Sequence, residues 1–146
     1  MPTSRKRYGS LPWIALVERT LHSLCEGHIP DGVNFVFNEI LTGVPKELQP
    51  GCGERVGWYI KLANAELDVG AGILQCADLR VTMDYRTVQP YVSVVFAKNP
   101  QVEREARMAM INAYREGKYL IEGDQEAMAG MPWAGKLHDA LAPCTC

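Results

Sequence analysis

The sequence of 146 residues has little of what usually announces a function. No apolar run approaches the roughly 18 residues that a membrane helix needs, so stable membrane insertion is not expected. The first ten residues are basic, but Glu18, Arg19 and His22 interrupt the segment after them, which excludes the uninterrupted core of a signal peptide. A formal net charge of −2 leaves no strongly basic footprint, so nucleic acid is not an expected partner. The five cysteines are odd in number and irregularly spaced, which argues against a disulfide framework and for reduced thiols in a cytoplasmic setting. Cys25 and Cys76 lie in apolar surroundings and read as small core residues. Cys144-Thr145-Cys146 reads as a frayed tail in preference to a soft-metal chelate.

Catalytic signals are equally sparse. His22, His28 and His138 have no metal-ligand spacing and read as surface or loop residues, and neither a metal nor a cofactor is expected. Gly51-Cys52-Gly53 and Gly70-Ala71-Gly72 do not join a strand to a helix, as a phosphate cradle requires, so both read as turns. Glu103, Arg104, Glu105 and Arg107 form a charge cluster that reads as a solvated helix face. Glu122 reads as strand-end surface and Asp124 as a helix cap.

What is present is an ordinary globular composition, 47% apolar and 22% charged, sufficient for one domain. We expect a basic tail over 1–10, a single domain over 11–142 and a tail over 143–146. Ser10 caps a helix over 11–26, where Ile14, Val17, Leu21 and Leu24 recur at helical spacing before Gly27 and Pro30 end it. Strands are expected over 33–40, 54–62 and 66–69, with Asn64 in the tight turn between the last two. The clearest strand is 77–84, where Leu79, Val81 and Met83 alternate with Asp78, Arg80 and Thr82. A helix starting near Thr87 comes next, then one over 100–116 capped by Asn99. A strand over 118–122 and a final helix broken at Pro132 complete an α+β domain, with helices over the one reliably apolar face of an antiparallel sheet.

The second half is rich in soft and aromatic apolar residues: Met83, Tyr91, Phe96, Met108, Met110, Tyr114, Tyr119, Met128, Met131 and Trp133. Such residues fill a core, the commoner use, or line a cavity for an apolar ligand. Composition leaves both readings open.

Three segments are similar to the sterol carrier protein type two family. Asn34-Phe35-Val36-Phe37 with the two strands after it resembles that family's opening meander. The stretch from Ala77 to Tyr85 looks like its fourth strand. Ala113-Tyr114-Arg115-Glu116-Gly117-Lys118-Tyr119-Leu120-Ile121-Glu122-Gly123-Asp124 resembles its passage from helix to strand to final helix. The resemblance implies a mostly antiparallel five-stranded sheet covered on one face by helices, with an apolar cavity between them. It implies binding or transfer of a sterol, fatty acid, acyl chain or similar lipid. Trp58, Ile60, Leu79, Val81, Met83, Tyr119 and Ile121 would face inward from strands, and Tyr91, Phe96, Met110, Tyr114, Met128 and Trp133 from the helical half. The chain departs from the family in a longer loop over 42–54, an insertion between Tyr85 and Ala113, a last helix broken by Gly130, Pro132 and Gly135, and an apolar Leu120 on an expected wet face. The alternative is an enzyme using the same cavity, with Tyr91, Tyr114, His138, Asp84 or Glu122 as acid or base. A third expectation is a homodimer built on Leu120 and the insertion.

Overall fold

A computed structural model describes residues 4–25, 29, 32–48 and 54–146. Gly27, His28, Pro30 and Gly51-Cys52-Gly53 lie outside the described residues. The chain forms a five-stranded sheet with its helices on one face. The strands are β1 (Phe35–Thr42), β2 (Val56–Ala63), β3 (Glu66–Ala71), β4 (Leu79–Asp84) and β5 (Tyr119–Gly123), and the spatial order is β3-β2-β1-β4-β5. Only β1 and β4 run parallel; the other neighbouring pairs are antiparallel. The helices are α1 (Leu11–Cys25), α2 (Tyr85–Val88), α3 (Pro100–Arg115), α4 (Gln125–Ala129) and α5 (Ala134–Leu141).

The first three strands form a meander. Asn64 turns β2 into β3 with positive φ as its side chain suggests, and Ala65 shares that conformation. Gly70 falls inside β3 and does not end it. The chain then crosses the back of the sheet through residues 72–78 to reach the far side of β1, which is why β4 lies parallel to β1. Fully buried Asn38 anchors this strap from β1. Its Nδ2 donates to Trp58 O (2.9 Å) and Gly72 O (3.1 Å), and its Oδ1 accepts from Leu74 N (2.9 Å). Gly57 is required beneath the strap, because a Cβ there would collide with the Gly72 carbonyl. The strap leaves Cys76 exposed, so this cysteine is not the core residue its apolar neighbours suggested.

On the opposite face, strand alternation gathers Phe35, Phe37 and Leu41 of β1 with Val56, Trp58, Ile60 and Leu62 of β2 into the core. Helix α1 begins where Ser10 Oγ accepts from Trp13 N (3.2 Å), and its buried stripe is Trp13, Ile14, Val17, Leu21 and Cys25. It packs against β3 and α5. Helix α3 turns Ala106 and Ala113 inward; the small side chains leave Met110 as the bulky group reaching the core.

Several local expectations are corrected. Helix α2 starts two residues before Thr87, because Asp84 Oδ2 accepts from Thr87 N (3.1 Å) and Thr87 Oγ1 (2.9 Å). It lasts one turn, and the chain continues as a 3-10 turn through Pro90, which has no N–H to extend an α-helix. Asn99 occupies the cap position of α3, yet its Nδ2 donates backward to Val95 O (2.9 Å). Asp124 does cap α4, accepting from Ala127 N (2.9 Å).

The two ends of the described chain are not loose. Lys6 N donates to Cys144 O (2.7 Å), Cys146 N to Lys6 O (2.9 Å) and Tyr8 N to Cys146 O (2.8 Å), forming a short parallel pairing. Thr145 is 1% exposed; its Oγ1 accepts from Trp13 Nε1 (3.1 Å) and donates to Leu141 O (2.8 Å). The segment expected to fray is therefore held by its own backbone and by a buried hydroxyl, and Tyr8 is drawn into the core.

Candidate functional site

A cleft of about 390 Å³ lies between the centre of the sheet and the helical layer. Phe37, Glu39 and Trp58 form its floor. Tyr8 and Trp13 close one side. Val88 comes from the end of α2, Tyr91, Val92 and Phe96 from the segment after it, and Ala106 and Met110 from α3. Met128, Ala134, Leu137, His138 and Leu141 come from α4 and α5. The floor continues into an edge-to-face aromatic chain: Phe37 to Trp58 at 5.5 Å, Trp58 to Trp13 at 5.2 Å, and Trp13 to Tyr8 at 4.8 Å between centroids.

The cleft thus brings together Trp58, Tyr91, Phe96, Met110 and Met128 from the residues expected to face inward. Ile60, Leu79, Met83 and Trp133 are buried in the core itself, with Val81, Tyr119 and Ile121 packed against it; none of them borders the cleft. Tyr114 is placed differently from expectation. It is 61% exposed and packs edge-on against Tyr119 at 6.5 Å, because α3 buries the stripe through Ala106 and Ala113 and position 114 is rotated off that stripe. Leu120 is 46% exposed, as expected of its face.

Helix α5 is clipped to the segment before α3. Asp139 accepts from Phe96 N (2.7 Å) and Ala97 N (3.1 Å). His138 Nε2–H donates to Val94 O (2.8 Å), and its ring stacks on Phe96 at 4.0 Å with planes 7° apart. A carbonyl can only accept, so this bond fixes the proton on Nε2 and leaves Nδ1 as an acceptor when the ring is neutral. His138 is therefore a half-buried wall residue, not the surface histidine its sequence context suggested. Two members of the expected solvated cluster, Glu103 and Arg107, also reach the cleft. They pair with each other at 2.8 Å.

The residue that sequence reasoning missed is Glu39. It stands at the middle of the central strand, on the face shared by Phe35, Phe37 and Leu41, opposite Trp58 of β2 and Val81 of β4. Its Oε1 accepts from Trp58 Nε1 at 3.0 Å and, more closely, from the Tyr8 hydroxyl. Burial pushes the carboxyl above its ordinary range, while these two donors pull it back down. Tyr8 is raised well above the usual phenol value, by its own burial first and then by the charge and hydrogen bond of Glu39. Tyr119 is raised by burial and by the same carboxylate. The signal was available: strict alternation through Phe35, Phe37, Glu39 and Leu41 puts one acidic residue on an otherwise apolar face.

Of the other acid–base candidates, Asp84 is occupied as the α2 cap and Glu122 is exposed, whereas Tyr91 and His138 are on the cleft wall. No group of three or more His, Cys, Asp or Glu converges as a metal site among the described residues. No helix among them is long and apolar enough to cross a membrane.

These features define an α+β domain with a one-sided helical layer over a mixed sheet and an apolar cleft between the layers. Comparison with solved structures identifies the fold as that of sterol carrier protein 2. A crystal structure of sterol carrier protein 2 matches 94% of this chain and 98% of its own, with a TM-score of 0.55 and 13% identity. The sterol carrier protein domain 2 of Helicoverpa armigera matches 94% of each chain, with a TM-score of 0.51 and 16% identity. A Thermus thermophilus protein described as a candidate sterol carrier protein matches 98% of this chain and 95% of its own, with a TM-score of 0.53 and 17% identity. No family model and no curated protein sequence matches the chain.

Proposed function

We propose that this protein binds or transfers a hydrophobic small molecule of the lipid class in the cleft over Phe37 and Trp58. The observation that carries the reading is the cleft itself, whose walls are mostly hydrocarbon and aromatic rings. Its volume of about 390 Å³ falls in the usual range for small-molecule sites. Removing hydrocarbon from water contributes about 0.8 kcal/mol per buried CH₂, enough for a single chain to bind without any charged contact. The sterol carrier names of the structural neighbours support the same class of ligand. The reading keeps a cytoplasmic setting, no cofactor and no nucleic acid partner.

The test is a fluorescence titration with N-phenylnaphthylamine, an apolar probe without a charged head group. Saturable binding is expected, and displacement by long-chain lipids. Ala106→Phe, which projects a ring into the cleft from α3, should weaken probe binding by about tenfold or more, the equivalent of losing roughly two buried methylene groups. Absence of saturable binding, or equal binding by Ala106→Phe, overturns the proposal.

Glu39 gives a second reading a specific basis. A carboxyl with a raised pKa in a cleft is a candidate general acid or base, and Tyr8 stands within hydrogen-bonding distance of it. That reading requires a bound ligand to be recovered chemically altered from the native protein and unaltered from Glu39→Gln. Recovery of unaltered ligand from both removes it.

A further inference from the structure

We propose that the cleft selects amphiphiles with a cationic nitrogen head group, a protonated amine held by Glu39 Oε2 over the aromatic floor. This rests on the binding function proposed above and narrows it to one ligand class.

The argument starts from how Glu39 is bonded. Both protein donors, Tyr8 Oη and Trp58 Nε1, converge on Oε1. Oε2 has no protein donor among the described residues, although Glu39 lines the cleft. A carboxylate in an apolar surrounding normally has a cation beside it. Here the ion pairs among the described residues involve other carboxylates, and none includes Glu39. The other charges on the cleft wall, Glu103 and Arg107, satisfy each other at 2.8 Å. The cleft therefore carries one unmatched negative charge once Glu39 ionises.

Ligand classes differ sharply against that charge. A fatty-acid carboxylate would meet a second carboxylate in a site of low polarity, and one of the two would have to be protonated. A long-chain alcohol would donate one neutral hydrogen bond to Oε2. A protonated amine would donate a charge-assisted bond and also neutralise the site. Tyr8 and Trp58 meet the carboxylate through in-plane donors, so the carboxylate and not a ring face supplies the attraction for the cation. The two donors on Oε1 fix the carboxylate in place, so little rearrangement is needed when the amine arrives.

The experiment compares dodecylamine, dodecanol and dodecanoate as competitors of N-phenylnaphthylamine near neutral pH, where an alkylamine is protonated. The three share one hydrocarbon chain, so their differences report the head group. In the native protein dodecylamine should compete at a concentration about tenfold or more below that of dodecanol, the ratio of one charge-assisted hydrogen bond to a neutral one. Glu39→Gln should collapse that ratio to within about threefold, since a single neutral acceptor remains. Should Glu39→Gln not fold, the same ratio measured on the native protein at acid pH takes its place: protonating the carboxyl while the amine keeps its charge should collapse the preference, and a preference unchanged at acid pH overturns the proposal. An amine-to-alcohol ratio near one in the native protein, dodecanoate as the strongest competitor, or a preference that persists in Glu39→Gln each overturns the proposal. If the alcohol competes without any amine preference, only the head-group assignment fails. If the probe itself does not bind, the cleft as a ligand site fails with it.

Discussion

Deleting the Tyr8 hydroxyl isolates one of the two polar contacts that hold Glu39 in the cleft floor. Tyr8→Phe keeps the ring and its packing against Trp13 and Tyr85, and the backbone carbonyl that accepts from Tyr85 Oη at 3.2 Å is untouched. What it removes is one of the two donors to Glu39 Oε1. Hydrogen bonds to charged partners contribute about 1.5–3 kcal/mol and neutral ones about 0.5–1.5 kcal/mol, so the loss should depend on the state of Glu39. The direction comes from linkage. Burial raises the carboxyl in the folded protein, so its contribution to stability is complete below the unfolded value and declines as pH rises through the folded one. The Tyr8 hydroxyl opposes that rise, and its removal raises the folded value further. The variant should therefore be more destabilised on the alkaline side. Urea unfolding below pH ~4, where the carboxyl is protonated in both states, is compared with unfolding near pH 8, and Tyr8 keeps its own proton throughout because its pKa lies well above the usual phenol value. Tyr119, packed against the core, and the Glu103–Arg107 pair and His138 on the cleft wall are the same in both proteins, so their contributions cancel in the difference. A change of 1 kcal/mol corresponds to about 2–4 °C in the melting temperature of a chain this size, well within reach of measurement. An equal loss at both pH values would show that the hydroxyl is not coupled to Glu39, and the account of the floor would fall.

Three other outcomes are expected from the packing. Thr145→Val should cost about 1–3 kcal/mol in urea unfolding, because the Trp13 indole N–H and the Leu141 carbonyl both lose their partner in a buried setting; a loss below about 0.5 kcal/mol would return this segment to the status of a loose tail. Gly123→Ala should be destabilised by well over ~2 kcal/mol, since φ is 112° and the new Cβ would collide with the Asp78 carbonyl; near-native stability would mean that β5 does not meet β4 as described. Thiol labelling mapped by mass spectrometry should modify exposed Cys76 and Cys146 well before Cys25, whose thiol is buried and pushed above its usual value; early labelling of Cys25 would contradict the seating of α1.

The elements were legible where a periodic pattern and a terminating signal agreed. Ser10 and the stripe through Val17 and Leu21 mark α1, and Leu79, Val81 and Met83 mark β4. Asp124 marks the start of α4 through its own side chain. Where two local signals competed, the expectation missed. Cys76 sits among apolar neighbours, but the strap that carries it is tied down by Asn38 from the other side, so the cysteine itself is left in water. Thr145 sits in a short polar terminal stretch, yet it answers the buried indole of Trp13 across 132 positions of sequence. Long-range pairing of that kind leaves no local trace.

The cleft shows the same division between what a pattern predicts and what a fold decides. Soft and aromatic residues in the second half supply much of the helical wall, but they say nothing about which will be used up in the core. Trp133 and Met83 fill the core, whereas Met110, Met128 and Phe96 border the cleft. The polar centre comes from outside that set. Glu39 is placed by β1, and its donors by β2 and by the N-terminal segment that the pairing at 144–146 holds in position. A carboxylate there has a cost in stability that burial sets and only part of which Tyr8 and Trp58 offset. An apolar side chain would fill the same position without that cost, as Phe37 and Leu41 do on either side. The unmatched charge is thus unfavourable for the empty fold and favourable only once something with a complementary charge occupies the cleft, which ties the head-group preference to the architecture and not to the hydrocarbon walls.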